Sequence, residues 1–144
     1  MNKTLKILIA DTNFSSRLHI EKALNRLGYF CILPVDSFAQ LCVLSTDSAP
    51  DFDVLIADEH LIIDSGIELK TFCKKIKNIA YKLFYDHRHM SSITNPFQPG
   101  QTYMSGSNIP SEGELNDFIS LITQDNARLM NKKASVARSQ PSER

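Results

Sequence analysis

The chain has 144 residues, the size of one domain, with 42% apolar residues and 16 Lys+Arg set against 16 Asp+Glu. That zero balance gives no general pull towards nucleic acid or a membrane surface, and no helix-turn-helix pattern is present. No apolar run approaches the roughly 18 residues of a membrane span, and the run Lys6 to Ala10 stops at Asp11, too short for a signal peptide. The three cysteines, Cys31, Cys42 and Cys73, lack ligand spacing and sit in apolar contexts. They read as reduced core thiols of a cytosolic protein.

In chain order, Lys6 to Ala10 suits a strand buried on both faces, ending on Asp11. Asn13 caps a helix over Phe14 to Leu27, whose stripe is Leu18, Ile20, Ala23, Leu24 and Leu27, and Gly28 stops it. Phe30 to Val35 is a second strand, and Pro34 within it implies an edge position. A helix starts at Asp36 or Ser37 and runs to about Ser45, with Phe38, Leu41 and Leu44 inward. After a turn around Pro50, Phe52 to Ala57 is a third strand that ends on Asp58. Glu59 to Ser65 reads as a loop closed by Gly66, and Ile67 to Ile76 as a helix with Leu69, Phe72 and Ile76 inward. Tyr81 to Tyr85 is a fourth strand.

The stretch from His87 to Gly100 holds Pro96 and Pro99, so any helix there is short, about Ser91 to Asn95. Thr102 to Ser105 is a fifth strand, and Ser107 to Gly113 a polar turn. Glu114 to Leu129 is a helix with Leu115, Phe118, Ile119 and Ile122 on one face. Residues 1–130 therefore make one domain, and 131–144 a polar basic tail or linker. Strands alternating with helices imply an α/β fold, a doubly wound parallel sheet whose functional crevice lies at the carboxyl ends of the strands. Asp11, Asp58, Tyr85 and Ser105 or Gly106 fall at those ends.

The segment Lys6-Ile-Leu-Ile-Ala-Asp-Thr-Asn13, then Arg17, Leu24 and Gly28-Tyr29, resembles the opening of response-regulator receiver domains of two-component systems. So does Phe52-Asp-Val-Leu-Ile-Ala-Asp58, with Gly66 eight residues on and Glu68-Leu69 beyond. The resemblance covers about Lys6 to Leu129 and is loose after Tyr81. It implies a flavodoxin-like fold of five strands in the order 2-1-3-4-5, with Asp58 at the phosphoacceptor position. It also implies an acidic pocket at Asp11 and Thr12, and Mg²⁺ held weakly by Asp11, Asp58 and the backbone carbonyl of His60. The switch positions fall on Tyr85 and Tyr103.

The chain departs from that pattern at several of these places. The second acid of the pocket is Thr12, and the Met-Pro pair is Leu61-Ile62. The hydroxyl switch is the bulky Tyr85. The conserved-type lysine aligns with Gly106 and its proline with Ser107, and no lysine lies between Lys82 and Lys132. Each lost charge contact around a phosphoryl group costs about 1.5–3 kcal/mol.

The bland readings stay beside these. Asp58 also suits a strand-end carboxylate capping the next turn, and Asp11 a helix cap. Tyr103 is either a packed residue or a moving switch. His60, Asp86 and His87 lie beside Asp58 as tuning groups, metal ligands or surface residues without a role. The leading expectation is a non-enzymatic, atypical, cytoplasmic receiver that binds a protein partner through segment 87–130. That partner is a kinase, an output protein or a second copy as a homodimer, with no nucleic acid and no membrane. A phosphorylatable receiver using Asp58, with a histidine kinase or phosphotransfer protein as donor, is the first alternative. A flavodoxin-like ligand-binding domain or small enzyme is the second, although no Gly-rich phosphate loop or nucleophile elbow supports it.

Overall fold

The computed structural model describes residues 4–46, 48–86, 102–104 and 109–124, with backbone alone for 102–104. Its elements are β1 (Ile7–Ala10), α1 (Phe14–Arg26), β2 (Ile32–Val35), α2 (Phe38–Val43), β3 (Phe52–Asp58), α3 (Glu59–Ile63), α4 (Leu69–Lys75) and β4 (Ile79–Tyr85). A short strand β5 (Thr102–Met104) and a helix α5 over 112–124 complete the described set. The chain is α/β, and its strands form an open, all-parallel sheet in the order β2-β1-β3-β4. Thr102–Met104 pairs in parallel with Lys82–Phe84 on the free side of β4.

The apolar runs explain this sheet. Every residue of β1 is buried, so the strand needs cover on both faces. Side chains alternate across a strand with period two. Ile7 and Ile9 of β1, Val54 and Ile56 of β3, and Tyr81, Leu83 and Tyr85 of β4 pack on one face with Ile20, Ala23 and Leu24 of α1 and Leu115, Phe118, Ile119 and Ile122 of α5. Leu8, Ala10, Leu55, Ala57 and Phe84 pack on the other, against Leu41, Leu61, Ile62, Leu69 and Phe72 of α2, α3 and α4. The helical stripes expected for α4 and the last helix are the faces that cover the sheet, as is that of α1 apart from Leu18, which is half-buried outside the core.

Local chemistry sets the ends. Asn13 caps α1 by accepting from the Ser16 N–H at 3.1 Å, and Gly28 takes φ of +100° where the chain turns off that helix. Ser37 caps α2 through the Gln40 N–H at 3.2 Å. Pro34 lies in β2, which forms the edge of the sheet beside β1. The side chain of buried Asn78 donates to the carbonyls of Leu44 and Pro50, both at 2.9 Å, and so ties the turn before β3 to the start of β4.

Several expectations need correcting. The segment after Asp58 is not a loop: Glu59–Ile63 is one helical turn, because Asp58 caps it and Leu61 and Ile62 are drawn into the core. The last helix begins before Glu114, at residue 112, inside the expected polar turn. Ser111 and Glu114 form a reciprocal capping box, each backbone N–H meeting the other's side-chain oxygen at 3.1 Å. β2 starts at Ile32, leaving Phe30 exposed, while β4 starts two residues before Tyr81. Two of the three cysteines are not core residues: Cys31 and Cys42 are exposed, while Cys73 is half-buried and packs against the core. The expected helix at 91–95 and the tail from Asn131 lie outside the described residues.

One of the buried polar residues lies in the middle of a strand. Lys82, in β4, is buried, and its Nζ donates to the Ile79 carbonyl at 3.1 Å. Burial pushes its ammonium below the usual value, and the nearby Cys73 opposes that shift. A lysine whose folded pKa is depressed destabilises the fold while the unfolded chain stays protonated; the penalty fades as pH rises through 10.5. Lys82→Met is therefore expected to stabilise the protein by roughly 1–2 kcal/mol at pH 7. In urea denaturation the gain should shrink as the pH approaches 10.5.

Candidate functional site

The parallel registers place the polar residues together. Ala10 pairs with Ala57, and Asp58 pairs with Tyr85. Asp11 directly follows β1, Asp58 ends β3, Tyr85 ends β4 and Asp86 follows it. All four therefore meet at one end of the sheet, the carboxyl end, as the topology requires.

Asp11 is fully buried, and both of its carboxylate oxygens are engaged. Oδ1 accepts the Asn13 N–H at 2.9 Å, and Oδ2 accepts the Tyr85 hydroxyl at 2.6 Å. The Asn13 contact is an Asx turn, the local geometry that leads into the α1 cap. Arg17 donates from Nη1 to the Asp11 carbonyl at 2.7 Å, and its guanidinium lies 5.6 Å from the Phe14 ring centre. Tyr85 is fully buried too. Its phenol is pushed well above the usual tyrosine range, first by burial, then by the charge of Asp11 and the bond to it, with Asp58 adding and Arg17 opposing. The hydroxyl is thus a permanent donor to Asp11.

Asp58 is 2% exposed. Its Oδ1 accepts the His60 N–H at 3.2 Å, so it caps α3, as the bland reading expected. The His60 ring returns over it: Nδ1 lies 3.5 Å from Asp58 Oδ1 and 2.8 Å from Asp86 Oδ1. Glu59 stands beside them. Burial raises its carboxyl above the usual range, and the charges of Asp86 and Asp58 and a hydrogen bond with Asp86 act in the same direction, while His60 opposes. A cleft of about 470 Å³ opens beside Asp58 and His60, lined by these two and by Thr12, Phe38, Leu61, Asp64 and Ser65.

The groups expected to hold Mg²⁺, Asp11, Asp58 and the His60 carbonyl, each carry hydrogen bonds of the protein's own. Asp11 carries the Tyr85 and Asn13 bonds, and the His60 carbonyl accepts the Asp64 N–H within α3 at 2.9 Å. Thr12 lines the cleft but contributes no charge. Among the described residues, the side chains of Asp58, His60 and Asp86 converge, with ligand atoms all within 4.8 Å of one another. This group could hold a metal ion.

Tyr103 lies in β5 opposite Leu83, and Gly106 and His87 lie outside the described residues. Sequence reasoning passed over Glu59, and it left His60 and Asp86 undecided between ligands and idle surface residues. No period or motif links positions 58–60 to 86; only the β3–β4 register does.

Tyr85→Phe removes the donor from a buried carboxylate and is expected to cost about 2 kcal/mol at neutral pH in urea denaturation. The pH dependence follows from the raised phenol. A group held more tightly protonated in the folded state stabilises it below the unfolded value of 10.0, and that contribution is lost as pH rises above it. The stability gap between the native chain and Tyr85→Phe should therefore narrow only above pH 10. Ultraviolet titration of the folded native chain should show no Tyr85 phenolate until it unfolds.

No family model matches the chain, and no curated protein matches it.

Proposed function

We propose that the chain is an atypical receiver-like signalling domain that works by binding a protein partner, with little or no switching by phosphorylation. The observation that carries this reading is the Tyr85–Asp11 hydrogen bond at 2.6 Å. In a working receiver the first-strand acid faces a metal ion, and the fourth-strand hydroxyl is free to meet a phosphoryl group. Here the two positions are bonded to each other inside the protein. The parallel order β2-β1-β3-β4, with Thr102–Met104 read as the fifth strand and the helices as two covering layers, is compatible with the doubly wound flavodoxin-like topology of that class.

On this reading Asp58 keeps the phosphoacceptor position but acts as the cap of α3. The partner is a kinase, an output protein or a second copy, met through the region from residue 87 to 130, of which residues 102–104 and 109–124 are described. A cytoplasmic location belongs to the same reading. No helix among the described residues is long and apolar enough to cross a membrane. Phosphorylation at Asp58 is the second reading, favoured by the position of its carboxylate on the wall of the cleft.

NMR with Mg²⁺ and a beryllofluoride phosphate mimic separates the two. The expected result is no saturable shift of the Asp58 and Tyr85 amides at millimolar Mg²⁺. Saturable shifts that vanish in Asp58→Asn would establish the phosphorylatable receiver and overturn the phosphorylation-independent one.

A further inference from the structure

The donor set beside Asp58 differs in kind from a magnesium pocket. It contains an imidazole nitrogen and two carboxylates, supplied by the cap and first turn of α3 and by the residue that follows β4. Asp58 is almost fully buried, and His60 and Asp86 are each mostly covered, so the three groups are already desolvated and held. The ring nitrogen His60 Nδ1 stands 2.8 Å from one carboxylate oxygen and 3.5 Å from the other. Donors about 2.1 Å from one ion stand roughly 3.0–3.4 Å apart at right-angled or tetrahedral positions. The spacing thus brackets what a single small ion needs.

The chemistry of the donors selects the ion. Mg²⁺ and Ca²⁺ take oxygen ligands, whereas imidazole with carboxylate suits zinc and its first-row neighbours. We propose that Asp58, His60 and Asp86 form a binding site for a divalent transition metal of the zinc class, with the open cleft leaving room for water in its remaining positions. Bound there, the ion clips the first turn of α3 to the end of β4 and occupies the Asp58 carboxylate. This inference shares Asp58 with the receiver reading but does not rest on it, since that reading is carried by the Tyr85–Asp11 bond and tested by the response to a phosphate mimic.

Calorimetry on the full chain with Zn²⁺, and separately with Mg²⁺, tests it. The expected result is saturable binding of one Zn²⁺, far tighter than Mg²⁺, weakened by at least about ten-fold in both His60→Gln and Asp86→Asn. A second measurement needs no variant: on adding Zn²⁺, the His60 ring-nitrogen resonances of the native chain should move to metal-bound positions. Zn²⁺ affinity unchanged in both variants, Mg²⁺ binding as tight as Zn²⁺, or a His60 ring that does not respond would each overturn the proposal. A chain that responds to beryllofluoride yet binds Zn²⁺ through His60 would overturn the phosphorylation-independent reading above and leave this site standing.

Discussion

The parallel pairing of β1, β3 and β4 governs everything else in this protein. Buried on both faces, these strands accept almost no polar group along their length, Lys82 apart. Polar side chains are therefore displaced to where the strands end. The register that matches Ala10 with Ala57 and Asp58 with Tyr85 then brings those ends level. A shift by one residue would turn every side chain of a strand to the opposite face and scatter the group. The site is a product of the same apolar alternation that builds the core.

That origin explains what could be read in advance. Two short apolar runs, each closing on an aspartate, are enough to place Asp11 and Asp58 at the same end of a parallel sheet, and they do stand there. The stripes of α1 and of the last helix were legible because 13 residues give several turns of periodicity. The five residues of α3 give barely more than one, so its helical state follows from a cap and two buried side chains rather than from a pattern. Cys42 misleads for a related reason. It neighbours Leu41, but one helical step moves it to the outer face.

The interior bonds were less legible still. Tyr85 looks, by position, like an oversized switch residue. Its hydroxyl in fact reaches across 74 positions of sequence to a buried carboxylate, a partner that only the assembled sheet supplies. The same holds for His60 and Asp86. A structural bond and a donor cluster thus share the ground that, in the resembling family, belongs to a metal and a phosphoryl group.

Pro34 carries a consequence for self-association. The Ile7 and Asp11 N–H groups donate to the carbonyls of Cys31 and Val35, so by alternation Pro34 turns its backbone outwards, while the Ile32 N–H is already given to the Phe30 carbonyl at 2.9 Å. At the middle of the only outward row that β2 offers, proline has no hydrogen to give. A second chain that tried to add itself there as a further strand would find a gap in its ladder. Leu33, exposed on the same strand, is consequently kept from becoming the seed of a continuous intermolecular sheet at this edge.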